Sequence, residues 1–138
     1  PEMLVKDLKF IEKLSPEMCG IGPFVPHKDT KFKNENHGDV GLVLMLLSII
    51  RLLKPNILLP ATTALGTVDP LGREKGILHG ANVVMPNLSP VKHRKDYSLY
   101  DNKICTGDEA AQCIGCLADR MKKIGYEIVT DRGDYTEK

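Results

Sequence analysis

The sequence contains no Trp, and its three Phe and four Tyr leave only 5% aromatic residues. Single-stranded nucleic acid is held largely by stacking on exposed rings, so that class of partner has no support. Charge is equally unhelpful to a nucleic-acid or membrane-surface reading. The chain carries 19 basic against 18 acidic side chains, a net +1, too little to draw in a phosphate backbone or an anionic bilayer. The longest apolar run, residues 40–50, stops well short of the roughly 20 residues a membrane span requires. The first ten residues are mixed and charged, unlike a secretory leader, so the expected location is the cytoplasm. There the four cysteines are expected as thiols or metal ligands and not as disulfides. No P-loop, G-x-S-x-G or dinucleotide fingerprint occurs. None of the four histidines has a partner at H-x-x-x-H or H-E-x-x-H spacing, which removes a His-based hydrolytic zinc site. His27, in a strand-end loop, is the histidine best placed for a function, although a plain loop residue reads as well. Finally, the chain has no initiator Met, and Pro1-Glu2 reads as the first turn of a helix with no capping residue before it. The expectation is a piece of a longer protein.

What is present is enough for one domain with a core: 138 residues, 42% hydrophobic and 27% charged. Leu4, Leu8, Ile11 and Leu14 recur at helical spacing and predict an amphipathic helix over 2–13. Residues 17–22 read as a short strand running into a Gly/Pro-rich loop, and the stretch to Gly38 is polar surface. Asp39 caps a helix that ends before Pro55. That helix is apolar on nearly every face: Leu42, Met45, Leu46, Ile49 and Leu53 form one stripe, and Val43, Leu44, Leu47 and Ile50 another. Residues 57–59 predict a buried strand, and 82–85 another that stops at Pro86. Asp69-Pro70 predicts a helix start, with its end near His79 and Gly80 just beyond. A polar connection over 86–104 leads to a capping box, Thr106-Gly107-Asp108-Glu109, and a helix closing at Gly125. A last short strand is expected over 126–129, followed by a polar tail. Strands alternating with helices imply parallel βα units, here the last three of a (β/α)8 TIM barrel plus a C-terminal helix. Residues 1–104 form the barrel part and 105–138 the Cys-containing helix and tail of the same domain. A partial barrel leaves strand edges and helix faces uncovered, which calls for the missing N-terminal half of the barrel or allows a homodimer through the apolar faces.

Two stretches carry chemistry. The first is Pro60-Ala61-Thr62-Thr63-Ala64-Leu65-Gly66-Thr67, a strand end that delivers hydroxyls to a loop. In parallel α/β proteins that edge holds ligands, and its hydroxyls and free N–H groups suit a carboxylate. Ordinary turn chemistry explains the same threonines. The second is Cys105, Cys113 and Cys116, spaced C-x7-C-x2-C. Cys113 and Cys116 stand at i, i+3 near a helix start, where the dipole favours thiolates, and Cys105 lies just before it. Three soft ligands suit zinc or an iron–sulfur cluster, with a fourth from solvent, an exogenous group or elsewhere in a longer chain. Three unrelated cysteines would read the same way. Cys19, in a strand, is expected as a core thiol.

Taken together, several stretches resemble the radical S-adenosylmethionine (SAM) enzymes of the biotin-synthase-like group, most of all those that mature iron-only hydrogenase. They are Gly20-Ile21-Gly22-Pro23-Phe24-Val25-Pro26-His27, the Thr loop, Gly72-Arg73-Glu74, Gly80-Ala81-Asn82-Val83-Val84-Met85-Pro86-Asn87, Tyr97-Ser98-Leu99-Tyr100 and the cysteine spacing. The resemblance covers residues 1–130 or so. It implies a parent enzyme in which a C-x3-C-x2-C loop binds a four-iron four-sulfur cluster and cleaves SAM to a radical. No two cysteines here have x3 spacing, so the chain alone is expected to be inactive. The resemblance also implies that Thr62, Thr63 and Tyr97 contact a small carboxylate- or amino-acid-like substrate. Met18, Met85 and Leu99 would line the SAM and substrate cavity. Cys105, Cys113 and Cys116 would hold an accessory cluster. Biotin synthase itself, or a related synthase, is the nearest alternative, although its accessory cluster uses strand ligands and Cys19 is the only strand cysteine here. A stand-alone Cys-based metal-binding module and an interaction domain built on the apolar helix 39–54 are the readings from other classes.

Overall fold

A computed structural model of the chain describes residues 2–97, 99–104 and 110–136. Pro1, Ser98, Cys105 and the expected capping box at 106–109 lie outside the described residues.

The strands come first because everything functional hangs from them. Helix α1 spans Glu2–Leu14 and ends at Ser15, whose φ of +49° turns the chain away. The next segment pairs in parallel with the predicted strand at 57–59: Met18 bridges Leu58, the Leu58 N–H donates to the Glu17 carbonyl (2.9 Å), and the Cys19 N–H donates to the Leu58 carbonyl (3.0 Å). The same central segment continues into β1, Pro60–Ala61, which pairs in parallel with β2, Val83–Val84, in the register Pro60↔Val83 and Ala61↔Val84. The Asn82 side chain extends the ladder, its Oδ1 accepting from the Leu59 N–H at 2.8 Å. Three neighbouring parallel segments with helices between them are the βα arrangement the sequence predicts, within a mixed α/β fold.

Helix α2, Val40–Leu53, is the first crossover. Asp39 caps it, accepting from the Leu42 N–H at 3.2 Å. Of its two apolar stripes, Val43, Leu44, Leu47 and Ile50 face the core, against Ile57, Leu59, Ala61, Leu65 and Ile77. Leu42, Met45 and Leu53 of the other stripe are exposed. The second crossover differs from its expectation. A helix α3, Thr63–Val68, forms inside the Thr loop, and α4, Gly72–Leu78, starts later than Asp69-Pro70 predicts. The reason is local. Asp69 spends its carboxylate on the Leu71 N–H (2.9 Å) and Lys75 Nζ (2.5 Å), and its carbonyl accepts from the Gly72 N–H (2.7 Å), so it closes a turn between two helices. α4 ends as predicted: Gly80 adopts φ +102°, and a Cβ there would come within 2.8 Å of Arg51 Cβ. Arg51 Nε donates to the Gly80 carbonyl at 2.8 Å and fastens α2 to that turn.

Within the expected polar connection, Val91–Tyr97 form a 3-10 helix. Helix α5, Ala110–Lys123, packs through Leu117 and Met121 onto the core, and Gly125 closes it at φ +82°. Residues 126–129 form no strand; Ile128 packs against the core from an irregular segment. No helix among the described residues is long and apolar enough to cross a membrane.

Candidate functional site: a cationic cavity at the ends of two parallel strands

β1 and β2 are parallel, so the residues that follow them emerge on one side of the sheet. Thr62-Thr63 follow β1, and Met85-Pro86-Asn87 follow β2. Between them lies a cavity of about 220 Å³ lined by Thr63, Arg73, Met85, Pro86, Asn87, Lys103 and Ile104. This is the edge of an α/β sheet where ligands bind.

Each wall has a local cause. Thr62 is the N-cap of α3, its Oγ1 accepting from the Leu65 N–H at 3.3 Å, which turns the chain so that Thr63 opens the helix. Gly22 leaves room for that cap, since a Cβ there would stand 2.7 Å from Thr62 Oγ1. Thr67 Oγ1 donates to the Thr63 carbonyl (3.0 Å) and accepts from the Ile104 N–H (3.4 Å), which ties the distant 103–104 segment to α3. Gly66 allows Arg73 and Ile104 to pass close by: a Cβ there would meet Ile104 Cδ1 at 2.9 Å and Arg73 Cγ at 3.2 Å. Arg73 is only 3% exposed, and Lys103 Nζ donates to the Tyr97 carbonyl at 3.1 Å.

Among the described residues, the cavity lining therefore includes two cationic side chains and no carboxylate. The neighbouring acid faces elsewhere. Glu74 is buried and bound by the Arg120 guanidinium, with Arg120 Nη2 to Glu74 Oε2 at 2.6 Å. Burial alone pushes the Glu74 carboxyl up, but the hydrogen bonds from Arg120 and the backbone, with the nearby charges of Arg120 and Arg73, more than offset this and hold it below the usual carboxylate range. A cavity with buried positive charge and a threonine hydroxyl suits a small anion or carboxylate.

The structure brings Thr63 and Met85 together and distributes the other expected site residues around them. Thr62 is the cap beside the cavity. Met18 lines a second cavity of about 500 Å³, together with Leu58, Val83, Met121 and the segment after Gly125. Tyr97 and Leu99 are exposed and line neither cavity; Tyr97 approaches through its carbonyl, held by Lys103. Arg73, Pro86, Asn87, Lys103 and Ile104 are the lining residues that pattern reading missed. Basic residues in a polar stretch read as surface, but Gly66, which lies against Arg73, and Gly72, where a Cβ would meet the Leu65 carbonyl at 2.2 Å, are a usable sign of close packing. His27 makes a turn, its Nδ1 accepting from the Asp29 N–H at 3.1 Å. Cys19 is half-buried against the core, and burial pushes its thiol up, consistent with a packing role.

Of the three spaced cysteines, Cys113 is buried and its Sγ accepts from the Asn87 N–H at 3.4 Å, while Cys116 is exposed. Among the described residues no group of three or more potential metal ligands converges, and Cys105 lies outside them. The described pair, one turn apart on α5, supplies two sulfurs, the buried one accepting the Asn87 N–H and the other exposed to solvent. The radical-generating cluster does not fit this chain, which has no C-x3-C-x2-C run.

No protein-family model matches the chain. Among curated proteins it is 43% identical over 130 residues to the FeFe hydrogenase maturase subunit HydE of Thermotoga maritima, covering 94% of this chain and 37% of that protein. It is 25% identical over 130 residues to the 3-methylornithine synthase of Methanosarcina acetivorans, covering 91% of this chain and 35% of that one. The chain thus spans little more than a third of the length of the curated relatives it matches. Along nearly all of its own length the chain is similar to the FeFe hydrogenase maturase subunit HydE, and more distantly to the 3-methylornithine synthase.

Proposed function

We propose that this chain is the C-terminal, substrate-facing part of a radical SAM barrel that acts in hydrogenase maturation. The observation that carries the reading is the match to HydE, 43% identical across nearly the whole chain, including the loops around the 220 Å³ cavity. In the full-length enzyme the four-iron cluster would be held by cysteines elsewhere and would supply the reductive cleavage of SAM. The residues here would bind and orient. Thr63, with Arg73 and Lys103 behind it, receives the carboxylate of a small amino-acid-like substrate; the second relative's name, a methylornithine synthase, suits such a substrate class. Thr62 sets the position of Thr63, and Met85 supplies the apolar wall that keeps water from the reacting groups. Cys113 and Cys116, with Cys105, are the candidate ligands of an accessory iron–sulfur cluster or zinc ion.

The test is complementation. Full-length protein, supplied to a host that expresses an iron-only hydrogenase with every other maturation protein, is expected to restore hydrogen evolution. The anaerobically reconstituted enzyme should show a paramagnetic four-iron signal that changes on adding SAM. A full-length sequence without C-x3-C-x2-C, or a reconstituted protein whose signal ignores SAM, overturns the proposal.

A further inference from the structure

One loop at the cavity is held from both sides by buried side chains that do not themselves line it. Asn87, part of the cavity wall, gives its backbone N–H to Cys113 Sγ (3.4 Å), from α5. Its carbonyl accepts from Arg94 Nη2 (3.1 Å), from the 3-10 helix, and Arg94 Nε also binds the Ser89 carbonyl (2.8 Å). The Asn87 side chain then closes a turn, Oδ1 accepting from the Ser89 N–H at 3.1 Å. Cys113 is 3% exposed and Arg94 2%. The two peptide units that flank the Asn87 Cα, beside the cavity, are thus each fixed by a partner that water cannot readily replace.

We infer that Cys113 and Arg94 are positioning residues for the cavity wall at residues 85–87, so that Cys113 acts on ligand binding through the Asn87 amide whether or not a metal is bound. The inference rests on the reading of this cavity as the ligand-facing side of a radical SAM barrel. Loss of the Cys113 acceptor leaves the Asn87 N–H without its buried partner, and the wall loosens where Met85 and Asn87 meet the ligand.

The experiment uses the anaerobically prepared full-length protein, with SAM, which itself carries an amino-acid carboxylate of the kind this cavity suits, as the probe. Backbone hydrogen exchange over residues 85–90 is read alongside the KM for SAM and the kcat of its reductive cleavage. Cys113→Val and Arg94→Met are expected to speed exchange in that segment and to raise the KM for SAM roughly threefold to tenfold, with kcat changed less. Cys113→Ser, which keeps an acceptor, is expected to recover most of both effects. Leu117→Ala, on the same helix, controls for lost stability: it should lower the melting temperature without loosening 85–90 selectively. Cys116→Ser removes a candidate metal ligand and leaves the hydrogen bond intact, so its exchange over 85–90 should match the parent. Unchanged exchange in Cys113→Val overturns the inference, as does faster exchange with an unchanged KM. Equal loosening in Cys116→Ser assigns the effect to a metal and overturns it too. If the unmutated enzyme neither binds nor cleaves SAM, the functional reading fails instead, and the exchange data alone still judge the clamp.

Discussion

At the scale of single residues, the two neighbouring threonines separate by role. Thr62 caps α3, and Thr63 lines the cavity. Thr62→Val should therefore cost about 1 kcal/mol of stability, the usual value of a lost N-cap. Thr63→Val should leave the melting temperature close to the parent's and lower kcat/KM of the full-length enzyme about tenfold, the loss expected for one hydrogen bond to a charged group. Urea unfolding and steady-state kinetics on the same two variants separate these outcomes. A second prediction concerns Glu74 and Arg120. Arg120→Ala leaves a carboxylate with 9% side-chain exposure facing away from water. Arg120 itself is 23% exposed, so the expected loss is about 2 kcal/mol, below that of a fully buried pair. The sign with pH follows from the depressed Glu74 carboxyl: the stabilisation is fully present above the ordinary carboxylate pKa and disappears as pH falls through the lower folded value. Parent and Arg120→Ala stabilities, measured by denaturant titration, should begin to draw together as pH falls below the ordinary glutamate pKa of about 4.3 and meet only beneath the lower folded value.

Among the elements, α2 was the most legible and α3 the least. Asp39 as cap, the stop before Pro55 and the two apolar stripes of α2 all follow from spacing and side-chain chemistry. Gly80 as the end of α4 follows from its sequence place, and its φ of +102° gives the reason. The parallel order of the three strand segments was equally readable, because helical periods separate them. By contrast, α3 is a single short helix built around a Thr cap, and its residues carry no periodic stripe. The helix start at Asp69-Pro70 reads correctly as capping chemistry, yet the Asp serves a turn between helices because Lys75 and the Gly72 N–H compete for it. The cavity was half legible. Thr63 and Met85 lie next to strand ends, where local pattern points, whereas Lys103 and Ile104 reach it through a contact with Thr67 that spans 37 positions of sequence. Such contacts leave no local signature. Gly66 offers an element-scale prediction: Gly66→Ala crowds Arg73 and Ile104, and should destabilise by about 1–3 kcal/mol, as overpacking does. Thermal unfolding checks this, and Gly20→Ala, whose Cβ would meet nothing within 4 Å, is the matched control.

For the whole molecule, the exposed apolar surface decides solution behaviour. Met45, Leu52 and Leu53 of α2, with Phe10 and Leu14 of α1, stand open to solvent. Exposed apolar helix faces of that kind are covered in a complete barrel or by a second chain. The isolated chain is expected to elute from size-exclusion chromatography above its monomer mass, and Leu52→Lys together with Met45→Lys should return it to monomer. A strictly monomeric parent chain would remove the argument for a missing cover.

The uneven lengths of the strand connections also set an order of assembly. Val83 meets Pro60 across 23 positions, but Met18 meets Leu58 across 40, and α1 beyond it buries no residue. Loop closure makes the longer connection more costly by about 0.5 kcal/mol, repaid only by the partly buried contacts of Leu8, Ile11, Cys19 and Ile21 with the core. The sheet therefore grows outward from the β1 and β2 pair, with α1 and the Met18 segment docking last in folding and detaching first under native conditions. Backbone exchange should report this sequence of events directly, with the Leu58 and Cys19 amides opening well before those of Val83 and Ala81.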